Sequence, residues 1–462
     1  MKNKMMMDIR TEKKVMVLLD TVICLICCGV IMLPLAGRAV IGYKSFCCMN
    51  LLFSCGVMLF LRALEEYKWL ITEFQERAVS LTLASVYSFL VVAIANLVFF
   101  ASIELLGMQA VLAAFTFASL LAANYTFFRM EKSGKYFKRP KMLIIEGCEG
   151  EITRSKRVKY GTFAQYDSWY EPLLSEDEEY VQSFLNEKIH DFDAICAFDS
   201  VRDHTYDMIV KKAMEYNKDL YIVPRLTDLN RSKANFVRFD DVLAYYMPKY
   251  SLSAIEEFFK RAFDLVVAAV GGVIAAIPMA VIAAAIKITS PGPVLYKQKR
   301  LTKNKKEFYI YKFRTMVPDA EKLSGPVFAQ KDDPRITKIG AVLRSCRLDE
   351  LPQIFNILKG DMSIVGPRPE RPFFVEQFEK EIDNYNYRFV VKAGLTSLSH
   401  VYGRYSTYIH DRTCYDLLYI TNYSLLMDLK ILLLTTKTMF IKKSAEGQEE
   451  FELQKSPQLV LK

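Results

Sequence analysis

Apolar and polar residues are segregated along this chain, and long apolar stretches dominate its first 130 positions. These stretches occupy residues 15–36, 46–61, 78–102 and 105–128. Three of them exceed the roughly 20 residues that a helix needs to span a bilayer, and the second reaches that length only with the residues before it. The pattern predicts an α-helical membrane bundle of four spans in residues 1–138.

The first stretch differs from a signal peptide, because it is long, lacks a small-residue cleavage site and is followed by further spans. Asp20 lies inside it, and we predict that this carboxylate sits at the membrane interface. Basic residues precede the first stretch and follow the fourth, and none lies between the third and fourth. The positive-inside rule therefore places both ends in the cytoplasm. We predict a multi-pass inner-membrane protein with everything after residue 138 on the cytoplasmic face.

Residues 139–250 change to short apolar runs separated by helix-like stretches. The runs lie at 141–145, 194–198 and 220–223, and this alternation predicts an α/β, Rossmann-like domain with a parallel sheet. The glycine fingerprint of dinucleotide-binding domains is missing, because Glu146-Gly-Cys-Glu-Gly150 follows the first run. We therefore predict that the domain binds no dinucleotide.

A fifth apolar stretch covers residues 263–286, and its two flanks are both basic. Basic residues on both sides indicate that both ends are cytoplasmic. Pro278 interrupts the stretch, and proline kinks helices. We predict a re-entrant helix that enters the inner leaflet, breaks near Ile277 and Pro278, and leaves on the same side. A plain fifth crossing is the alternative.

The net charge and its distribution limit the classes of partner that the chain is expected to bind. The 462-residue chain carries a net charge of +9, and residues 297–314 hold eight basic side chains against one acid, Glu307. A cationic stretch beside a membrane segment favours anionic lipid headgroups, and the membrane segments argue against nucleic acid. Six of the ten cysteines lie in the first 60 residues within apolar runs, and the four histidines form no zinc pattern with cysteine.

The candidate chemistry lies in residues 344–370. Pro352 is a predicted first helical residue, with Leu351 extended before it and Gly360 near the helix end. Asp349 and Glu350 thus precede a helix N-terminus, where a carboxylate is stabilised as the ion. Such a group serves as a nucleophile or as a ligand of Mg²⁺, which combines carboxylates with substrate phosphates.

Arginines surround this acidic pair. Arg368 lies between Pro367 and Pro369, which hold its backbone extended and prepare the guanidinium for a bidentate phosphate contact. Arg344 precedes the acids. Arginines and carboxylates at one point indicate phosphoryl transfer. The structural alternative is a salt-bridge network without catalysis.

These motifs in combination resemble the bacterial sugar transferases, the monotopic polyprenol-phosphate phosphoglycosyl transferases, over residues 255–442. The matching segments are 312–316, 348–353, 359–363, 366–369, 392–396, 403–405, 415–416 and 428–430. The sequence departs from the family pattern at Ala393, Ser397 and His400. The preceding spans and α/β domain are similar to the long subgroup that starts exopolysaccharide, capsule or O-antigen repeat units.

The resemblance implies a mostly α-helical catalytic domain at 251–445, followed by a tail at 446–462. It implies transfer of a sugar 1-phosphate from a UDP-sugar to undecaprenyl phosphate with release of UMP. Asp349 is the expected nucleophile of a covalent phosphosugar ester, Glu350 assists, and both are candidate Mg²⁺ ligands. Further candidate residues are Arg344, Arg368, Lys312 and Arg314 for phosphate, and Lys392 and Arg404 on the nucleotide or sugar side. A non-catalytic membrane scaffold for polysaccharide assembly is the alternative function, and homodimer formation stays open.

Overall fold

The computed structural model divides into two compact units, residues 1–223 and 224–462. The described residues are 9–32, 43–65, 74–132, 141–146, 167–172, 178–225, 228–229, 235–239, 242–246, 251–317, 335–382, 384–403 and 409–440.

The first unit begins with four helices that pack on one another. They are α1 (Ile9–Met32), α2 (Tyr43–Ala63), α3 (Phe74–Phe99) and α4 (Ile103–Lys132). Helix α3 and residues Ile103–Met130 are long and apolar enough to cross a membrane, and Cys47–Ala63 is a shorter apolar helix. The end of the first predicted span lies outside the described residues.

Hydrogen bonds between buried polar side chains connect these helices. Gln109 Nε2 donates to Asn50 Oδ1 at 2.8 Å, and Asn124 Nδ2 donates to Asp20 Oδ1 at 2.8 Å. Asp20 is fully buried between helices, and its predicted position at the level of the membrane interface stays a prediction. A helix surrounded by apolar residues buries an acid where a neighbouring helix supplies a hydrogen-bond donor.

A four-stranded parallel sheet follows in the order β2-β1-β3-β4. Alternate residues of β1 feed two separate cores: Leu143 and Ile145 pack on one side, and Met142 and Ile144 on the other. Burial of both faces is typical of parallel sheets. The elements are β1 (Lys141–Glu146), β2 (Asp167–Pro172), α5 (Glu178–Lys188), β3 (Ala194–Ala197), α6 (Asp203–Glu215) and β4 (Asp219–Ile222).

The second unit contains the predicted re-entrant segment as helix α7 (Ala254–Thr289), which is 36 residues long and apolar enough to cross a membrane. The helix is not interrupted at Pro278 but continues through it, and the predicted bend at this proline stays a prediction. Proline removes one backbone hydrogen bond, but Ala275 and Met279 on either side pack into the same core. This packing outweighs the loss of that bond.

The start of α7 is bound to its unit by charged and polar contacts. Lys260 Nζ lies 2.8 Å from Asp428 Oδ2. The Asp264 carboxylate accepts from Ser363 Oγ and from the N–H of Ile364, at 2.9 Å each. Asp264, the one acid in the predicted segment, therefore anchors this helix beside the candidate site.

The end of α7 is bound to the same unit by apolar contacts. Ile286 is buried with Phe313 and Leu343. One helix face is thus covered from Lys260 to Ile286. The opposite face exposes the apolar residues Val266, Val270, Val273, Ile274, Ile277, Val281 and Ile288.

Three two-stranded sheets and six further helices complete the description of this unit. Strands β7 (Leu295–Leu301) and β8 (Glu307–Phe313) form an antiparallel hairpin, and β9 (Ser363–Val365) pairs in parallel with β10 (Gly394–Thr396). The others are β5 (Asn235–Phe239), β6 (Val242–Tyr246), α8 (Lys338–Ser345), α9 (Gln353–Lys359), α10 (Pro372–Glu381), α11 (Leu398–Tyr402), α12 (Ile409–Thr421) and α13 (Leu425–Met439).

Candidate active site

The acidic pair lies in a 3₁₀ turn, Leu348–Glu350, directly before α9. Arg347 precedes the turn in the left-handed conformation, with φ of 54°. Leu351 is helical rather than extended, with φ of −52° and ψ of −39°, so that prediction is wrong. The bias against helix before Pro352 yields because the 3₁₀ turn leads straight into α9. Gly360 ends α9 with φ of 96°, as predicted.

Glu350 is held between two cations. Its Oε1 accepts from Lys312 Nζ at 2.6 Å and from Arg368 Nη2 at 3.1 Å. Burial disfavours the ionised form, but Lys312 and Arg368 outweigh it and hold the pKa of this carboxyl well below its usual range. Burial in turn lowers the pKa of Lys312, against the attraction of Glu350. Glu350 is therefore a fixed negative charge.

The surroundings of Asp349 differ from those of Glu350 in hydrogen-bond donors and in their effect on the pKa. Asp349 is half-buried, and no side chain among the described residues donates a hydrogen bond to its carboxylate. Burial raises its pKa, with Lys312 and Arg344 opposing and Glu350 reinforcing the rise. The carboxylate of Asp349 is therefore not held in place by any side chain of the described residues, in contrast to that of Glu350.

Arg344 is positioned by a close approach between two elements. Its Nε donates to Thr315 Oγ1 at 3.0 Å. Helix α8 reaches Thr315 because residue 340 is glycine: a Cβ there would lie 2.1 Å from the Thr315 carbonyl oxygen. Arg344 acts on Asp349 through charge, and no ion pair between the two is present among the described contacts.

Arg368 extends from a loop held by the buried Arg388 and the partly buried Arg300. Arg388 Nη2 donates to the Arg368 carbonyl at 2.8 Å, and Arg300 Nη1 donates to the Pro369 carbonyl at 3.0 Å. A Cβ on Gly394 would lie 2.1 Å from the nitrogen of Gly366. The sequence predicted a stiff Pro-Arg-Pro segment, and the structure adds these supports.

Two predicted residues are not brought to the pair, and a third lies outside the described residues. Arg314 is buried, and its guanidinium donates to the carbonyls of Pro291 and Ser290 at 2.6 and 2.8 Å. It closes the end of α7, so its assignment to phosphate is corrected. Lys392 lies beside Gly360, at the opposite end of α9 from the pair, and burial and Arg261 lower its pKa. Arg404 lies outside the described residues.

The structure adds residues that the motifs did not single out for the site. Asp416 Oδ2 accepts from Arg388 Nη2 at 2.7 Å, and Asp416 Oδ1 accepts from Ser399 at 3.2 Å. His400 follows Ser399 and approaches Arg347. In the sequence, these residues were indicated only by the Tyr415-Asp416 motif and by the departure from the family pattern at His400. Their roles were missed because their contacts join positions far apart in the chain.

The donors available to a metal ion are few. No group of three or more His, Cys, Asp or Glu able to hold a metal exists among the described residues. Glu350 Oε1 is already shared by two cations, which leaves its Oε2 and the Asp349 carboxylate. This set fits Mg²⁺ when substrate phosphates complete the coordination, as is usual for that ion.

Residues 255–442 match the family described as bacterial sugar transferase. The chain is 42% identical over 190 residues to the UDP-N-acetylgalactosamine-undecaprenyl-phosphate N-acetylgalactosaminephosphotransferase of Aeromonas hydrophila, covering 40% of this chain and 45% of that protein. It is 42% identical over 199 residues to the UDP-glucose:undecaprenyl-phosphate glucose-1-phosphate transferase of Klebsiella pneumoniae, covering 42% and 43%.

A third relative is covered almost completely. The chain is 39% identical over 181 residues to the exopolysaccharide production protein PSS of Rhizobium leguminosarum bv. phaseoli, covering 37% of this chain and 90% of that protein. The match spans less than half of the Aeromonas and Klebsiella proteins. The family match, at residues 255–442, covers the segment that contains the acidic pair.

Proposed function

The chain belongs to the bacterial sugar transferase family, and from that premise we propose that it transfers a sugar 1-phosphate from a UDP-sugar to undecaprenyl phosphate. The products are UMP and a polyprenyl-diphospho-sugar, which starts a polysaccharide repeat unit. The relatives' names include N-acetylgalactosamine and glucose, so they leave the sugar open.

The observation that carries this proposal is the unequal treatment of the two acids. Glu350 is clamped by Lys312 and Arg368, whereas Asp349 has no side-chain donor. In the first step an Asp349 oxygen bonds to the β-phosphorus, the bond from that phosphorus to the bridging oxygen breaks, and UMP leaves. In the second step a phosphate oxygen of undecaprenyl phosphate bonds to the phosphorus and releases the Asp349 carboxylate.

The surrounding residues supply charge and position. Lys312, Arg368 and Arg344 attract the diphosphate, and Glu350 keeps Lys312 and Arg368 oriented. Mg²⁺, held by the diphosphate with Asp349 or Glu350 Oε2, would neutralise the leaving phosphate. Because phosphoryl transfer depends mainly on positioning and charge stabilisation, this set suffices without a further acid or base.

The test is UMP release from purified, detergent-solubilised protein mixed with undecaprenyl phosphate and a panel of UDP-sugars. We expect turnover with at least one sugar, and a mass increase of one sugar phosphate when the acceptor is omitted. Asp349→Asn should abolish both signals, because an amide cannot form the ester. The matched control is Asp207→Asn on exposed α6, which should leave both unchanged. Full activity in Asp349→Asn would rule out this nucleophile, and no turnover with any sugar favours the scaffold.

We further propose an inner-membrane location with the active site on the cytoplasmic face. Support comes from α7, whose two ends contact the same unit and whose opposite face is apolar. The lysines of the β7–β8 hairpin suit anionic lipid, and Lys299 and Lys305 are both largely exposed.

We also propose that the β1–β4 sheet belongs to a Rossmann-like domain that binds no dinucleotide. Glu146 ends β1 as a buried acid, in the place where a pyrophosphate would require glycine and free N–H groups. Equilibrium dialysis with NAD should detect no binding, and saturable binding would overturn this proposal.

A further inference from the structure

His400 lies beside the acidic pair, on the short helix α11. Ser397 Oγ accepts from the N–H of His400 at 3.0 Å and caps that helix. The ring Nδ1 lies 3.4 Å from Arg347 Nη1. A guanidinium carries only donors, so Nδ1 is the acceptor and the ring hydrogen is on Nε2. The contact with Arg347 therefore fixes the tautomer.

Nε2 is buried and has no hydrogen-bond partner in the described part of the chain. Burial, together with Arg347 and Arg368, lowers the pKa of His400 to about 3, so the ring is neutral at pH 7. The site thus contains a neutral N–H that is closed to water and unused. A buried donor without an acceptor is costly, and a bound ligand is one of the ways in which such a group is satisfied.

The neighbours of the ring define what that ligand must be. Arg347, Arg368, Lys312 and Glu350 all act on His400 electrostatically. Three of the four are cations, and the fourth already shares Oε1 between two of them. An anionic oxygen is the acceptor that such surroundings attract. Resting on the proposed function, we propose that His400 Nε2–H donates a hydrogen bond to a phosphate oxygen of the substrate, beside Arg368.

Access to Nε2 requires a movement. The side chain of Arg368 is 40% exposed, against 21% for Lys312 and 12% for Glu350. Arg368 thus has the most exposed side chain of these three, and on this proposal it moves as it takes up the phosphate. A neutral donor then adds direction to the phosphate contact without adding a further positive charge.

The experiment measures binding of UDP and of pyrophosphate to the full-length protein in detergent, by calorimetry. His400→Gln and His400→Met have similar length and shape, and only glutamine offers a neutral N–H. We expect binding within about threefold of the parent for glutamine, and weakened about tenfold or more for methionine. His204→Leu in the first unit is the control and should bind like the parent.

Two further measurements make the result decisive. Melting temperatures identify variants that do not fold, and His400→Phe, which keeps a ring without a donor, replaces methionine if that variant fails. Equal binding by the glutamine and methionine variants overturns the proposal, whether both are weak or both are strong. Binding also separates this proposal from the proposed function, because a parent that binds pyrophosphate without turnover contradicts only the latter.

Steady-state kinetics distinguish the two phosphate sources. A contact to the nucleotide-sugar diphosphate raises the KM for UDP-sugar in His400→Met, and a contact to the lipid phosphate raises the KM for undecaprenyl phosphate. Parent-like values of both KM and kcat contradict the proposed contact.

Discussion

At the scale of single residues, the two adjacent acids differ because of the side chains around them, and not because of their own chemistry. Glu350 receives two cationic donors on one oxygen, and Asp349 receives no side-chain donor. Adjacent side chains diverge, so one can face the Lys312–Arg368 side while the other faces substrate. The pKa values of the two groups consequently move in opposite directions.

The raised pKa of Asp349 predicts an acid limb, that is, a fall in rate at low pH, in the pH profile of the proposed ester-forming step. The nucleophile must be ionised, so the single-turnover rate should fall with decreasing pH at a pH above the ordinary aspartate value of 3.8. Glu350→Gln removes a neighbouring negative charge, and the limb should move to lower pH as the overall rate drops. A limb that stays in place in this variant contradicts the assignment.

Arg368→Lys should lose most of its turnover although the charge is retained. Lysine is a single-point donor and cannot reproduce the planar fork that meets a phosphate, and it also reaches Glu350 differently. We expect kcat/KM for UDP-sugar to fall at least tenfold, which corresponds to one charge-assisted hydrogen bond. Lys305→Arg, exposed and paired with Glu379, is the control, and equal losses in both variants would contradict a specific role.

At the scale of elements, a buried ion pair connects the loop that contains Arg368 with helix α11. Arg388 and Asp416 are 4% and 2% exposed and lie 2.7 Å apart. Arg388 also supports the carbonyl of Arg368, and Asp416 also receives the hydroxyl of Ser399, next to His400. This pair therefore helps to position both the Arg368 loop and helix α11.

Asp416→Asn should lower both stability and turnover. Removing one partner leaves a buried charge unpaired, which costs about 3–5 kcal/mol. Thermal unfolding should show a clear drop in Tm, and UMP release should fall. The double variant Arg388→Met with Asp416→Leu should recover part of the Tm without recovering activity. Full recovery of activity would show that the pair contributes stability alone.

The sequence predicted the elements whose signal is local. The apolar runs at 141–145, 194–198 and 220–223 became strands β1, β3 and β4, and Gly360 ends α9 as expected. Strand β2 was missed because Asp-Ser-Trp-Tyr-Glu-Pro has no apolar run. Its pairing with β1 is what makes it a strand.

Long-range contacts account for the remaining errors. The backbone conformation at Pro278 and the contacts of Arg314 and Lys392 depend on which residues pack against them. Spacing along the chain contains no such information. Asp349, Glu350, Lys312 and Arg368 were predicted as one group, and the structure brings them together.

At the scale of the whole molecule, α7 decides how the second unit meets a bilayer. Helix α7 contains 36 residues, which at 1.5 Å per residue amounts to roughly 54 Å of helix, more than one bilayer requires. Contacts at Lys260 and at Ile286 nevertheless join both ends to one unit. A plain crossing would separate those ends, so the contacts favour the proposed cytoplasmic placement of both.

Cysteine labelling tests this topology. In a background without the ten native cysteines, Ser251→Cys and Lys306→Cys should resist an impermeant thiol reagent in intact cells and react after permeabilisation. Ser102→Cys, between α3 and α4, should react in intact cells and serves as the positive control. Labelling of position 306 in intact cells would establish a true crossing and contradict the cytoplasmic active site.

The two faces of α7 have different surroundings, and each face therefore tolerates different substitutions. Ala268 and Ala275 are almost fully buried against protein, so a larger side chain there must displace its neighbours. Val273 and Ile277 are more than three-quarters exposed, and lipid chains adapt to any apolar shape. A saturation library should therefore accept leucine, phenylalanine and methionine freely at 273 and 277 while rejecting charge, and at 268 and 275 should select by volume.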